Sequence, residues 1–100
     1  MKVTIQEQEG NMVAILEGRL DTAAAPETEK AMSPLYNCKD QDITIDCAKL
    51  TYISSSGLRI FLGILKTAKA NGSSVFIKDI SDDIRTVFAM TGFTNLFKFK

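Results

Sequence analysis

The order of apolar and polar residues predicts that the chain opens with two strands. Val3–Gln8 alternates apolar and polar positions, which is the period of a half-buried strand. Gly10 and Asn11 then supply a turn, and Met12–Leu16 is apolar enough for a strand that is covered on both faces. We expect the two strands to pair as an antiparallel hairpin.

A first helix is predicted at Ala25–Leu35, where residues suited to a buried face recur at helical spacing. The chain leaves the sheet just before this helix, and Asp21 or Thr22 is expected to cap its first turn. Pro34 removes a helical hydrogen bond near the end of the segment. A kink or an early stop is therefore expected there.

The longest amphipathic segment predicts a second helix from about Ser56 to Ala70. Ile60 and Ile64 lie on one flank of its apolar stripe and widen the apolar arc beyond what a single core contact needs. These two side chains either pack against a neighbouring helix or form part of an exposed patch that docks a partner. The buried stripe itself is expected to contain Leu58, Phe61, Leu62, Leu65 and Ala68.

Three further apolar segments predict strands between and after the helices. Ile43–Cys47 alternates, Val75–Ile77 is short and apolar, and Phe93–Phe99 ends the chain with a possible short strand. A third helix precedes that last segment, with Ser81 as its cap and Gly92 at its end. Strands that alternate with helices require crossovers between parallel neighbours. We expect an α/β fold: a mostly parallel sheet with an antiparallel N-terminal hairpin, and helices packed on the sheet.

The composition is that of an ordinary globular protein, and it argues against several classes of function. Twelve basic and twelve acidic residues cancel, so neither direct nucleic-acid binding nor attraction to an anionic membrane is expected. No apolar run approaches the roughly 20 residues that span a bilayer, and no signal peptide is expected, which predicts a cytoplasmic protein without direct membrane insertion. The chain has no histidine, and Cys38 and Cys47 fit no metal spacing. We expect no enzyme activity, no cofactor and no metal.

The stretch Tyr52–Leu58, which contains three serines and a glycine, indicates a strand, a tight turn and the start of a helix. Serine is a preferred N-cap, and the unpaired N–H groups of a first helical turn attract an anion. Three hydroxyls at this point form a candidate phosphate acceptor. In the alternative interpretation the serines only cap the helix, and Gly57 only relieves crowding.

Three blocks of this sequence resemble the STAS domain of bacterial anti-sigma factor antagonists. They are Leu20-Asp21 before the first helix, Leu50–Leu58 leading into the second, and Val87–Phe93 at the end of the third. The family pattern in the second block is an aspartate, a phosphorylatable serine or threonine, a small residue and then Gly-Leu. The resemblance covers essentially the whole chain and implies one STAS domain over residues 1–100.

The resemblance implies a regulator that binds an anti-sigma factor, often itself a serine kinase, while unphosphorylated, and so frees a sigma factor. The kinase then phosphorylates the turn serine, and a protein phosphatase reverses the modification. Matched position by position, Ser55 is the acceptor and Asp21 is an acidic residue near the same surface. Contacts with the partner are expected from Asp21, Ser54, Ser56, Gly57, Leu58, Arg59, Ile60 and Ile64.

The chain departs from the family pattern at Ser54, where the family commonly has an aspartate. This leaves a second hypothesis open, in which the chain is a non-phosphorylated docking subunit of a membrane transport complex, held through Ile60 and Ile64. Under the first hypothesis Ser55→Asp keeps the fold and loses the partner. Under the second, a charged residue at Ile64 abolishes association.

Overall fold

The chain folds into five strands and three α-helices, which the computed structural model describes over residues 1–100. A short 3₁₀ helix at Ser33–Asn37 follows the first α-helix. The strands are β1 (Lys2–Gln8), β2 (Asn11–Leu20), β3 (Asp42–Ile53), β4 (Ser74–Lys78) and β5 (Lys98–Phe99). The α-helices are α1 (Ala25–Ala31), α2 (Ser55–Ala70) and α3 (Asp82–Met90).

All five strands form one sheet, in which the spatial order is the same as the order along the chain. β1 and β2 are antiparallel and are joined by a turn in which both Glu9 and Gly10 have positive φ. The other neighbouring strands are parallel, and each parallel connection contains one of the α-helices. The predicted fold class, a mostly parallel sheet with an N-terminal antiparallel hairpin, is confirmed.

The core lies between one face of the sheet and the helices. Ala14, Ile45 and Ile77 are register partners across β2, β3 and β4, and all three are completely buried. Phe88 of α3 packs edge-to-face against the rings of Phe61, Phe93, Phe97 and Phe99, with centroids 5.7–6.5 Å apart. This aromatic cluster fixes α3 and the C-terminal segment against α2.

The first helix ends earlier than its apolar pattern alone indicates. α1 stops at Ala31, and the chain tightens into the 3₁₀ helix that contains Pro34. Proline has no N–H to continue an α-helical ladder, so the early stop at this proline is confirmed. β2 and β3 are longer than predicted because their pairing continues, through register shifts, as far as Leu20 and Ile53.

Candidate functional site

The ends of two parallel strands bring the serine turn beside Asp21. Leu20 and Ile53 are register partners at the ends of β2 and β3. The backbone nitrogen of Ser54 then donates to the carbonyl oxygen of Leu20 at 2.8 Å. Two segments that are far apart in the sequence therefore meet at the carboxyl edge of the sheet, where ligands of parallel α/β sheets usually bind.

Ser54 is the N-cap of α2, and its hydroxyl group is used in the cap. Its backbone is extended, with φ −90° and ψ 171°, and its Oγ accepts a hydrogen bond from the backbone nitrogen of Gly57 at 3.2 Å. Its carbonyl oxygen accepts from the nitrogen of Leu58 at 3.0 Å, and the residue is only 8% exposed. A preferred N-cap in this geometry stabilises the helix by about 1 kcal/mol.

Gly57 allows the start of α2 to pack closely on β2. A Cβ atom at this position would lie 2.7 Å from Cγ of Leu20 and 2.9 Å from Cγ1 of Ile53. Both neighbours belong to the buried core and have little room to move. The expectation that Gly57 relieves crowding is confirmed, and one of the two crowding side chains, Leu20, directly precedes Asp21.

Ser55 and Ser56 differ in how accessible they are. Ser55 is the first residue of α2 and is exposed, and its hydroxyl makes no hydrogen bond within the chain. Ser56 is half-buried and lines an open groove of about 400 Å³ between α1 and α2. The first turn of α2 contains no acidic residue, so no side chain of that turn compensates the positive end of the helix.

Asp21 places a carboxylate beside this turn. It is half-buried, and its Oδ1 accepts a hydrogen bond from the backbone nitrogen of Ala24 at 2.9 Å. The side chain therefore caps the turn that leads into α1, whereas the residue in the N-cap position of α1 itself is Ala24. Of the two predicted caps, Asp21 makes the hydrogen bond and Thr22 does not.

Arg59 and the groove extend the exposed surface along α2. Arg59 is exposed one turn after Ser55, and it lines the groove together with Glu29 of α1. The rest of the lining is small or apolar: Thr22, Ala25, Pro26, Ser56 and Ile60. The structure thus brings Asp21, Ser54, Ser55, Ser56 and Arg59 to one end of the molecule.

The interpretation of Ile60 and Ile64 as an exposed docking patch is wrong. Ile60 is 3% exposed and Ile64 is completely buried, and both belong to the core. Leu58 and Gly57 are buried as well and present no surface to a partner, and the Leu58 side chain helps to hold α2 in place. The helix is apolar over a wide arc because it contacts the sheet, α1 and the 3₁₀ helix together.

Two residues beside the site were not singled out by the sequence pattern. The guanidinium carbon of Arg19 lies 4.4 Å from the centroid of the Tyr52 ring, and Tyr52 remains 41% exposed. The two are register partners on β2 and β3, one position before Leu20 and Ile53. The sequence does contain one indication that Tyr52 is at the surface. Side chains alternate along β3, so Tyr52 lies on the opposite face from the buried Ile53.

Neither cysteine is available for chemistry at the site. Cys38 and Cys47 are free and buried, and burial raises the pKa of the Cys47 thiol to about 12. A thiol with that pKa carries almost no thiolate at neutral pH and is a poor nucleophile. No group of three or more acidic, cysteine or histidine side chains is arranged to hold a metal ion.

None of the helices combines the length and the apolar character that crossing a bilayer requires.

Comparison with known proteins identifies the family. The sequence model of the STAS domain family matches residues 2–100 of this chain. The anti-sigma-B factor antagonist of Staphylococcus aureus is 33% identical over 79 residues, which are 79% of this chain and 73% of that protein.

Two solved structures share the fold. An anti-sigma factor antagonist from Mycobacterium paratuberculosis has a TM-score of 0.81 at 21% identity, covering 98% of this chain and 83% of that one. The Bacillus cell fate determinant SpoIIAA in its phosphorylated form has a TM-score of 0.74 at 19% identity, covering 99% and 91%.

The homologues are regulatory binding proteins and not enzymes, which confirms the prediction that this chain is not an enzyme. The order of elements, the serine turn at the sheet edge and the match over nearly the whole chain agree with one another. The chain belongs to the STAS domain family.

Proposed function

We propose that the chain is an anti-sigma factor antagonist whose binding is controlled by phosphorylation of Ser55. In the unphosphorylated state it binds an anti-sigma factor, which is also the serine kinase, and a protein phosphatase restores that state. The observation that carries the proposal is the start of α2, where an exposed serine lies at a helix N-terminus that has no acidic residue. The names of the homologues support antagonist function.

The geometry of the three serines favours Ser55 as the acceptor. The hydroxyl of Ser54 already accepts a hydrogen bond from Gly57, and phosphorylation there would remove the cap of α2. Ser56 is half-buried against the groove, so a kinase would reach it less easily. Ser55 is the one serine of the turn whose side chain is exposed and whose modification leaves the packing of α2 unchanged.

A phosphate on Ser55 would act mainly through its charge. It adds about −1.5 to −2 charges at pH 7, and the positive end of α2 accommodates negative charge. The fold therefore tolerates the modification. A partner that covers Ser55 and Asp21 together would enclose two negative groups, and desolvation and repulsion would weaken its binding. The switch then needs no rearrangement of the backbone.

The contact surface consists of the exposed residues around the turn. Polar contacts come from Asp21, Ser55 and Arg59. The groove between α1 and α2 receives a side chain of the partner. The buried members of the predicted contact set, Gly57 and Ile64 among them, act by holding this surface in shape. The protein acts in the cytoplasm, where sigma factors work.

No observation favours the alternative, a docking subunit of a membrane transport complex. That hypothesis required Ile60 and Ile64 to form an exposed patch, but Ile64 is completely buried and Ile60 is only 3% exposed, at the bottom of the groove. A charged residue at Ile64 would disrupt the fold itself, so the effect on association that this hypothesis predicted would not distinguish the two functions.

The proposal is tested by affinity capture from cells of the source organism with four tagged proteins: wild type, Ser55→Ala, Ser55→Asp and Asn95→Asp. Asn95 is exposed in the loop before β5, so Asn95→Asp adds the same charge away from the turn. We expect wild type, Ser55→Ala and Asn95→Asp to retain an anti-sigma factor that mass spectrometry identifies. Ser55→Asp should retain about tenfold less or worse, because it places charge in the interface. Equal capture by Ser55→Asp would contradict the proposal.

A further inference from the structure

Arg59 is the basic residue of α2 that lies within about one helical turn of Ser55. Both residues are exposed, and they occupy positions i and i+4 of the same helix. Side chains at this spacing have Cβ atoms about 5–6 Å apart, and the pair is more favourable when the acidic group comes first along the chain. An anionic group on Ser55 would therefore lie within reach of the Arg59 guanidinium.

Arg59 also stands between Ser55 and the groove, as seen around the axis of α2. At 3.6 residues per turn, Arg59 lies about 40° from Ser55 and about 60° from Ser56. Ser56 lines the groove, and so does Arg59 itself, opposite the carboxylate-bearing helix α1 that contributes Glu29. The long side chain of Arg59 is thus placed so that it reaches either the groove or the hydroxyl of Ser55 by a change of rotamer.

The guanidinium of Arg59 is free to take up such a contact. It takes part in neither of the chain's two salt bridges. The other guanidinium near the turn belongs to Arg19, and it lies 4.4 Å from the centroid of the Tyr52 ring. Arg19 directly precedes the buried Leu20, so alternation along β2 places it on the face of the sheet that is turned away from α2. Arg59 is therefore the guanidinium available to Ser55.

We propose that Arg59 binds the phosphate group of phosphorylated Ser55 and leaves the groove when it does so. The inference rests on the proposed function, because it concerns the modified form of the same serine. Arginine binds a phosphate through two parallel hydrogen bonds, and a phosphoserine carries more charge than a carboxylate does. Once Arg59 has turned toward the phosphate, Glu29 is the one charged residue that still lines the groove.

This pairing gives the modification a second effect on a bound partner. Phosphorylation adds negative charge at the turn, and it also withdraws the cation that lines the groove. A partner group that contacts Arg59 in the unmodified protein would lose that contact. A group seated in the groove would meet the Glu29 carboxylate without the opposite charge beside it. One modification then alters both parts of the contact surface, with no movement of the backbone.

The test uses protein with phosphoserine incorporated at position 55 by an expanded genetic code, so that no cellular kinase is needed. ³¹P NMR measures the second acid dissociation constant of the phosphate in otherwise wild-type protein and in Arg59→Gln, Arg59→Lys and Lys66→Gln. Lys66→Gln is the matched control, because Lys66 is exposed on the same helix. It lies roughly 16 Å from Ser55 along the axis, beyond the Debye length of about 8 Å at 0.15 M ionic strength.

We expect Arg59→Gln to lower that dissociation constant about twofold or more, because the guanidinium stabilises the phosphate dianion. Arg59→Lys should restore part of the effect, since lysine supplies the charge without the paired hydrogen bonds. Lys66→Gln should leave the constant unchanged. In a second measurement, the Nε–H signal of Arg59 should shift and exchange more slowly with water in the phosphorylated protein than in the unmodified one.

Three outcomes would overturn the inference. The dissociation constant could be the same in wild type and Arg59→Gln, it could change equally in Lys66→Gln, or the Nε–H signal could be unaffected by phosphorylation. Each would contradict the pairing alone and leave the proposed function standing. The proposed function fails separately, if Ser55→Asp captures the anti-sigma factor as well as wild type does.

Discussion

The starts of α2 and α3 are built in the same way up to the cap and differ immediately after it. Each helix follows a parallel strand and begins after a serine with extended backbone, with ψ 171° at Ser54 and 161° at Ser81. Each serine Oγ accepts a hydrogen bond from the backbone nitrogen three residues later, at 3.2 Å from Gly57 and 3.3 Å from Ile84. The capping serine alone therefore does not distinguish a functional turn from a structural one.

The first turns of the two helices carry different charge. Asp82 and Asp83 follow the cap of α3, whereas Ser55 and Ser56 follow the cap of α2, which has no acidic residue in its first turn. A carboxylate near the positive end of a helix stabilises it by about 0.3–1 kcal/mol. α3 therefore has a permanent negative charge at this position. α2 has a hydroxyl there, where a reversible phosphate would supply the same interaction.

The third residue after the cap also differs. Ile84 fills the core with a buried side chain, whereas Gly57 has no side chain and lets Leu20 approach the helix axis. This contact draws the start of α2 against the end of β2 and brings Asp21 to the serine turn. The difference between the two turns is therefore one of tertiary packing as well as charge.

The largest expected effect comes from Gly57→Ala. The added Cβ would clash with Leu20 and Ile53, so we expect a loss of about 2–3 kcal/mol in the free energy of unfolding, measured by urea denaturation. Gly63→Ala in the same helix is the matched control, because its Cβ would meet only the hydroxyl end of Tyr36, at 3.1 Å. Alanine also favours the helix there by about 1 kcal/mol, which should leave the control near neutral. An equal loss in both variants would show that the approach to Leu20 is not the cause.

Removal of the two caps should give a smaller and unequal effect. We expect Ser81→Ala to cost about 1 kcal/mol, and Ser54→Ala to cost about 1–2 kcal/mol. The excess at Ser54 has a physical reason, because the N–H of Gly57 is buried and would be left without a partner. Thermal unfolding of both variants in the same buffer measures the difference. A larger loss for Ser81→Ala would contradict the greater structural role assigned to Ser54.

The smallest expected effect is the exchange of charge between the two first turns. Ser55→Asp should stabilise the protein by about 0.5 kcal/mol, and Asp82→Ser should destabilise it by a similar amount, because both alter the charge at a helix N-terminus. Unfolding measured at low and at high salt separates this electrostatic part from packing, since salt screens it. If Ser55→Asp is instead destabilising at low salt, repulsion from Asp21 outweighs the attraction of the helix.

Much of the fold could be predicted because it depends on local patterns. The alternation in Val3–Gln8, the period of α2 and the proline at position 34 each predicted an element or an end that the structure contains. The lengths of β2 and β3 were underestimated, because pairing between the two strands extends them through less regular sequence. Element types are thus encoded locally, whereas their limits depend on neighbours.

The site was less predictable than the fold. The period of α2 could not decide whether Ile60 and Ile64 are buried, because that depends on how many elements pack around the helix. The stack of Arg19 on Tyr52 depends on the register between β2 and β3, which no local pattern specifies. The exposure of Ser55 relative to Ser54 and Ser56 likewise follows from the exact residue at which the helix begins.

The most direct test of the central claim is the phosphorylation state of the protein isolated from its own cells. Intact mass and site mapping would compare wild type with Ser55→Ala. We predict a wild-type fraction that carries one phosphate, mapped to Ser55, and no phosphate on the variant. A phosphate that persists in Ser55→Ala, or a wild type that is unmodified under every growth condition, would contradict the account.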